Sequence, residues 1–311
     1  MILGIDVAKD KLDIYCLPTQ QHYQIKNSLA SIKQFLKQHR KACDIAQVVF
    51  ESTGGHEKLL TLSLIDLEIA YHKAHPKRVY HFGQGEGCFA KTDRIDARLL
   101  AQYGQAKHPA HTTTETRQSI ELKELSSRKQ QIKNSIADEK RRLSSVYLNK
   151  GIVRSIKNHI RFLEQQLCQI EKQVDELVHN DERLLTKRNL LVSVKGVGKE
   201  VSTLLISELP ELGSLSREAI SALVGVAPRT QDSGRTCGYR SIRYGRFDVR
   251  KGLYMAALVA SRHNPRMRAI YTKLISKGKK CKVALVAVMR KMLIMMNAMI
   301  KKNEMWHAER I

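Results

Sequence analysis

The order of strands and helices in the N-terminal third of the chain constrains its fold more than any other feature. Short apolar runs and period-two alternation predict five strands, at residues 1–7, 11–17, 22–26, 45–50 and 69–72. Apolar residues at helical spacing predict helices at 28–40 and 56–67, and another helix begins after Thr92. The Gly-rich stretch at residues 76–88 is expected to be a mobile loop.

Four carboxylates fall at informative positions in this order. Asp6 lies in the first strand, Glu51 ends the fourth, and Asp93 and Asp96 share one face of the last helix. The arrangement resembles the ribonuclease H-like fold, specifically the RuvC-type nuclease core, in which such acids converge. Converging carboxylates suit Mg²⁺ or Mn²⁺, and two such ions can assist phosphoryl transfer.

Two simpler interpretations apply to the acids of this region. Acids in the first turn of a helix interact favourably with the helix dipole, which would account for Asp93 and Asp96 without a metal. The acids outside the set of four are interpreted as solvated surface residues, namely Asp10, Asp13, Asp44 and Glu57.

The charge balance predicts a polyanionic partner. The chain of 311 residues has 54 Lys and Arg against 30 Asp and Glu, a formal net charge of +24. Cation–phosphate contacts release counterions, so nucleic acid is the expected partner and an anionic membrane surface the competing one. The apolar segment Val283–Ile300 contains Arg290, Lys291 and Asn297, so a membrane span is not expected. Without a signal-peptide pattern, C-x-x-C pair or disulfide framework, a cytoplasmic protein is expected.

Heptad spacing marks the middle of the chain. Apolar residues three and four apart continue through residues 153–177, which predicts a coiled-coil pair of antiparallel helices joined near Gly151. Such a hairpin could dimerise the protein or clamp nucleic acid, or it could be an intramolecular spacer. The expected domains are therefore residues 1–112 (α/β), 113–182 (helical hairpin) and 183–311 (mainly helical).

The C-terminal region contains two basic motifs. Lys195-Gly-Val-Gly-Lys199 resembles a helix-hairpin-helix turn, whose backbone N–H groups hold phosphate, although a plain turn fits equally well. The Gly- and Ser-rich segment 225–246 is expected to be a loop. Its serines could be nucleophiles toward phosphorus or could simply make the loop flexible. Nucleic-acid contacts are expected from Lys195, Lys199, Arg235, Arg240, Arg243, Arg246 and Arg250.

A series of motifs joins these regions in one order along nearly the whole chain. They are Gly4-Ile-Asp-Val-Ala-Lys9, Glu51-Ser-Thr-Gly54, Lys91-Thr-Asp-Arg-Ile-Asp-Ala-Arg98, Gly225-Val-Ala-Pro228, Asp232-Ser-Gly234 and Arg250-Lys-Gly-Leu-Tyr-Met-Ala-Ala257. Together they resemble the DEDD insertion-sequence transposases of the IS110 type, a family that includes pilin-gene invertases and bridge-RNA-guided recombinases.

The resemblance implies a role for each matched residue. Asp6, Glu51, Asp93 and Asp96 would bind the divalent metal, and Ser233 would be the nucleophile that forms a covalent phosphoserine link to DNA. Ser241 lies outside the motif. The resemblance also implies a guide RNA, donor and target DNA, and a dimer that assembles to a tetramer. A RuvC-like nuclease using activated water, a site-specific invertase and a non-enzymatic nucleic-acid-binding protein remain the alternatives.

Overall fold

The computed structural model describes residues 1–42, 44–112, 115–229 and 241–306. These residues belong to two compact units, Met1–Arg117 and Gln118–Ile311. The mixed α/β class expected from the sequence is confirmed, with one five-stranded sheet and helices in the rest of the described chain. The three-domain division stays a prediction.

The first unit is built on a sheet with the strand order β3-β2-β1-β4-β5. Its strands are β1 (Ile2–Val7), β2 (Lys11–Cys16), β3 (Gln21–Lys26), β4 (Gln47–Glu51) and β5 (Tyr71–Ala74). The first three strands form an antiparallel meander, while β4 and β5 extend the sheet from β1 in parallel. Parallel neighbours need crossover connections, and the intervening helices supply them.

Helices cover both faces of this sheet. They are α1 (Leu29–Ala42), α2 (Lys58–Asp66), α3 (Pro76–Gly85) and α4 (Asp93–Lys107). Leu3 and Ile5 of β1 pack in one core with α1 and α2. Val49 of β4 packs on the opposite face with Leu100 of α4. Because side chains alternate across a strand, the even-numbered residues of β1 and the odd-numbered residues of β4 face α4.

The expected loop at residues 76–88 is wrong, because Pro76–Gly85 forms α3. Proline at the first position of a helix needs no hydrogen bond, and the His75 side chain accepts a hydrogen bond from the Lys77 N–H at 3.2 Å. Gly83 is a packing residue here: a Cβ at this position would lie 2.8 Å from Leu99 Cδ2. The glycine that suggested a loop therefore lets two helices approach closely.

The second unit is helical throughout its described part. Its helices are α5 (Arg117–Leu143), α6 (Lys150–Asn180), α7 (Glu182–Val192), α8 (Lys199–Glu208), α9 (Arg217–Val224), α10 (Phe247–His263), α11 (Pro265–Ser276) and α12 (Cys281–Lys302). Among the described helices, α12 alone is long and apolar enough to cross a membrane, and half of that apolar segment is buried. Val288, Met292 and Met296 are fully enclosed, so α12 is the central helix of this core.

The helices α5 and α6 pair in antiparallel orientation. Ion pairs join Lys133 to Glu171 at 3.8 Å and Lys140 to Glu164 at 3.2 Å, and Ile132 packs with Leu163 between the helices. The apolar seam read from the sequence is therefore used within the chain. The join lies at residues 144–149, near Gly151 as expected, and the Asn149 side chain caps α6 so that Gly151 lies in its first turn.

Candidate metal centre and nucleic-acid interface

The sheet register brings the four predicted acids to one place. Ile5 of β1 pairs with Phe50 of the parallel strand β4, so Asp6 and Glu51 lie side by side where the two strands end. Both acids belong to the residue sets that face α4. The first turn of α4 carries Asp93 and Asp96, and Thr92 caps this turn by accepting a hydrogen bond from the Ile95 N–H at 3.3 Å.

Gly4 allows α4 to lie directly against β1. A Cβ on Gly4 would lie 2.1 Å from the Ala97 carbonyl oxygen and 2.4 Å from the Ala101 nitrogen. Any larger residue would therefore collide with the helix backbone. This close approach carries Asp93 and Asp96 toward the strand ends that bear Asp6 and Glu51.

The acids influence one another electrostatically. Burial, reinforced by Asp96, Asp93 and Asp13, raises the pKa of Asp6 to about 6. Burial, followed by the charges of Asp6 and Asp96, raises the pKa of Glu51 to about 7. Burial likewise raises the pKa of Asp96. Three half-buried carboxylates whose charged forms are disfavoured by burial and by nearby acids form a site suited to a cation.

Asp93 has a different environment, because Lys11 contacts it. The Lys11 Nζ lies 2.6 Å from Asp93 Oδ2 and 3.0 Å from Asp13 Oδ2. The hydrogen bond from Lys11 holds the pKa of the Asp93 carboxyl below its usual range. The interpretation of Asp13 as a solvated residue is wrong: this side chain is buried, pairs across the hairpin with Asp6, and accepts a hydrogen bond from Gln24 at 2.9 Å.

Glu57 is also buried, which corrects its interpretation as a surface residue. It accepts hydrogen bonds from the Gly55 N–H at 2.8 Å and the Thr53 N–H at 3.2 Å, and Lys73 Nζ lies 3.0 Å away. Burial alone would raise the pKa of this carboxyl, but backbone N–H groups and Lys73 outweigh burial and lower it to about 2. Glu57 thereby fixes the turn that follows Glu51.

The described residues contain no group of three or more His, Cys, Asp and Glu side chains arranged to hold a metal ion. The chemistry of Asp6, Glu51 and Asp96 nevertheless fits a hard divalent cation, since all three are oxygen donors with raised pKa values. The fourth acid, Asp93, is instead engaged by the ammonium group of Lys11.

The predicted nucleophile and two predicted basic contacts, Ser233, Arg235 and Arg240, lie outside the described residues. Of the other arginines, Arg243 is exposed. Arg246 makes a two-pronged ion pair with Glu211, with both N–O distances 2.6 Å. Arg250 donates to the carbonyl oxygens of Val224 and Tyr244. In this structure, Arg246 and Arg250 therefore make contacts within the protein.

The turn between α7 and α8 contains Lys195 and Lys199, both exposed. Gly196 has a φ of +107°, and a Cβ on it would lie 2.8 Å from Ala260 Cβ, so this glycine is required by the turn and by its packing on α10. Gly198 precedes α8 without a side-chain cap and borders open space. Lys199 Nζ contacts Asp175 Oδ2 at 2.5 Å.

A groove of about 990 Å³ lies in the second unit along α10 and α12. Phe247, Met255 and Val283, all exposed, contribute to its apolar lining. Basic side chains also line it, namely Arg217, Arg250, Lys251, Lys282, Arg290 and Lys291, and among the described residues of the lining the single acid is Glu218. Pro228 and Ser241, which stand on either side of residues 230–240, contribute to the lining as well. No local sequence pattern predicts this groove, because the helices that form it are separated along the chain.

A sheet that carries clustered carboxylates and a helical unit with a basic groove define a protein that acts on nucleic acid. Comparison with known protein families identifies the family within this class. A transposase model of the DEDD, IS110 type matches residues 3–149, and a model described as transposase of the IS116/IS110/IS902 family matches residues 188–272. Because the two matches together span most of the chain, the protein belongs to the IS110 family of insertion-sequence transposases and is a DNA-recombining enzyme.

Individual relatives agree with this assignment. The chain is 25% identical to the pilin gene-inverting protein of Moraxella lacunata over 313 residues, covering 97% of this chain and 96% of the relative. The pilin gene-inverting protein of Moraxella bovis is also 25% identical, with the same coverage. An uncharacterized 42 kDa protein of insertion element IS900 from Mycobacterium paratuberculosis is 33% identical over 94 residues, which are 30% of this chain and 23% of that protein.

Proposed function

We propose that this protein cuts and rejoins DNA with Ser233 as the nucleophile and with help from a divalent metal, Mg²⁺ or Mn²⁺. The observation that carries the proposal is the convergence of Asp6, Glu51 and Asp96 from two strands and a helix, where burial and the charges of neighbouring acids raise their pKa values. In an IS110-family protein, a bound cation would neutralise these clustered acids and offset the repulsion between them.

The carboxylates of Asp6, Glu51, Asp93 and Asp96 would hold the metal. When bound, a divalent cation supplies positive charge against the phosphoryl oxygens and favours the alkoxide form of an attacking hydroxyl. Neighbouring residues position these acids. Gly4 lets α4 lie against the strand ends, and the hydrogen bonds to Glu57 hold the turn after Glu51.

Ser233 would act on the phosphate positioned by these acids. Its Oγ forms a bond to phosphorus as one P–O bond of the DNA backbone breaks. The hydroxyl proton is lost to solvent, and the departing DNA oxygen takes up a proton. The phosphodiester energy is conserved in the phosphoserine link, so a second DNA end can be joined by the reverse step. Acids and serine of different protomers would form the composite site.

The basic surfaces of the second unit support the proposed partners. The groove along α10 and α12 presents Lys251, Lys282 and Arg290, and the turn before α8 presents Lys195. Such surfaces would hold donor and target DNA and a guide RNA through phosphate contacts. Pro228 and Ser241, the described residues that line the groove nearest in sequence to Ser233, belong to this same surface.

The finer architecture also belongs to this proposal. The first unit would be a RuvC-like member of the ribonuclease H fold, α5 and α6 a coiled-coil element of dimer and tetramer assembly, and the α7–α8 turn a helix-hairpin-helix. The exposed Tyr147 and Leu148 at the hairpin tip are available for contacts between protomers. The enzyme would work in the bacterial cytoplasm, associated with the nucleoid.

Site-specific inversion is a second candidate function. Two pilin gene-inverting proteins match nearly the whole chain, so the same serine chemistry could invert a segment instead of moving an element. A supercoiled plasmid with cognate sites in inverted orientation distinguishes the two, since inversion keeps the segment in place and transposition transfers it.

The decisive experiment uses Ser233→Ala, with Ser241→Ala as the matched control from the same loop. We expect Ser233→Ala to bind DNA normally but to form no covalent protein–DNA adduct when the Mg²⁺ reaction is stopped in denaturant. Ser241→Ala should still form the adduct. Full recombination by Ser233→Ala would contradict the proposal, and free cleaved ends without adduct in the wild type would favour a RuvC-like nuclease that uses water.

A further inference from the structure

Lys11 is the first residue of β2, and its ammonium group enters the carboxylate centre from the hairpin side. Its Nζ lies between Asp93 Oδ2 at 2.6 Å and Asp13 Oδ2 at 3.0 Å. These two acids come from different elements, the N-terminal turn of α4 and the second strand. Lys11 thus joins the helix that carries half of the acids to the sheet that carries the rest.

The environment of Lys11 explains why an ammonium group is stable there. Asp13 pairs with Asp6 across the hairpin, so the β1–β2 hairpin alone places two carboxylates next to each other. Asp93 and Asp96 add two more from α4. A cation in direct contact with two of these acids reduces their mutual repulsion.

The pair with Asp93 can be released at low cost. The Lys11 and Asp93 side chains are 41% and 49% exposed, so water can replace either partner when the contact breaks. Asp13, in contrast, is buried and also accepts a hydrogen bond from Gln24 at 2.9 Å. The contact with Asp93 is therefore the labile one.

We propose that Lys11 is an internal counter-cation of the carboxylate centre, which neutralises Asp93 in the metal-free protein and leaves it when a divalent ion binds. The proposal rests on the proposed metal-binding function. It makes Lys11 a positioning residue rather than a catalytic one: it keeps α4 on the sheet before metal arrives, and it competes with the metal for Asp93.

Competition gives a prediction that a merely structural role does not. Lys11 must leave Asp93 before a metal can use that carboxylate, so removing the ammonium group removes a competitor. Lys11→Met should therefore bind Mn²⁺ several-fold more tightly than the wild type, although it loses a native ion pair. Lys11→Arg, which keeps the charge, should stay close to the wild type.

The test is a calorimetric titration of the full-length protein with Mn²⁺ alone, without DNA. Lys9→Met is the matched control, since Lys9 is exposed in the turn before β2 and its removal changes the net charge equally. The binding signal is assigned to this centre by its loss in Asp96→Asn. Metal-free Lys11→Met should also melt at a lower temperature than the wild type and regain more of that loss on adding Mn²⁺.

The outcomes separate this inference from the proposed function. Equal or weaker Mn²⁺ binding by Lys11→Met, with a wild type that binds, would overturn the role of Lys11 and leave the metal site intact. Equal tightening in Lys9→Met would also overturn it, because the effect would then reflect net charge. Absence of Mn²⁺ binding in every variant would overturn the metal site and the role of Lys11 together.

Discussion

Glu57 fixes the turn next to the carboxylate centre through its charge. The carboxylate accepts hydrogen bonds from the N–H groups of Thr53 and Gly55 and from the Thr53 hydroxyl at 3.1 Å. Lys73 of β5 supplies the opposite charge. A charged acceptor forms stronger hydrogen bonds than a neutral one, so this turn stabilises the ionised form of Glu57.

We predict that Glu57→Gln destabilises the first unit by about 2 kcal/mol at neutral pH, because Lys73 loses the closer of its two carboxylate partners and three hydrogen bonds weaken. Urea unfolding followed by circular dichroism measures this loss. Glu86→Gln, at an exposed position just after α3, is the control and should unfold like the wild type. Equal stability of Glu57→Gln and the wild type would contradict the proposed role of the charge.

The pKa of Glu57 also predicts a pH dependence. The folded state lowers this pKa to about 2 from a usual value of 4.5, so the unfolded chain binds the proton more readily. The stabilisation is therefore complete above about pH 4.5 and is lost as the pH falls toward 2. Unfolding free energies measured across this range should fall less steeply in Glu57→Gln than in the wild type.

At the scale of elements, the contact between α4 and β1 positions the acids. Gly4 meets the backbone of α4, and Gly104 near the other end of the helix would place a Cβ 2.8 Å from Val49 Cγ2. Two glycines, one on the strand and one on the helix, thus let α4 cross the sheet at short distance. The separation of Asp93 and Asp96 from Asp6 and Glu51 depends on this distance.

We predict that Gly4→Ala costs at least about 2 kcal/mol of stability, because its Cβ would overlap the backbone of α4, which yields less readily than a side chain. Gly85→Ala is the control, since a Cβ there meets nothing within 4 Å. Thermal and urea unfolding of the two variants provide the comparison. An unchanged Gly4→Ala would show that α4 does not lie against β1 as described.

At the scale of the whole molecule, the excess of positive charge concentrates in the C-terminal region. Residues 235–302 contain eighteen Lys and Arg and a single acid, Asp248. Several of these cations are already used inside the protein, as Arg246 is by Glu211. The groove along α10 and α12 is where cations are gathered on an accessible surface.

We predict that Lys251→Gln and Arg290→Gln each weaken DNA binding to a similar extent for all sequences. Each should also reduce the slope of log affinity against log salt by about 0.9, the value for one lost phosphate contact on duplex DNA. Fluorescence anisotropy at several salt concentrations measures both effects. Lys37→Gln, which removes an exposed lysine of α1, should leave the slope unchanged. An equal effect in Lys37→Gln would indicate that net charge, and not the groove, governs binding.

Local sequence patterns predict the five strands and three of the four helices of the first unit, the paired helices of the second, and the positions of Asp6, Glu51, Asp93 and Asp96 among them. These features follow from periodicity and motif spacing, which are local properties of the chain. The helix at Pro76–Gly85 was expected to be a loop for the same reason. Glycine is a local turn signal, whereas Gly83 allows close packing against Leu99.

Which acids and lysines contact one another depends on the packing of the fold. Asp13 accepts a hydrogen bond from Gln24 of the neighbouring strand and Glu57 pairs with Lys73 of β5, and neither partner can be identified from the residues beside the acid. Lys11 reaches Asp93 across 82 positions because Gly4 lets α4 lie on the sheet. Burial and ion pairing depend on contacts between elements that are far apart in sequence. Local patterns therefore predict the elements, whereas the contacts between them require the folded structure.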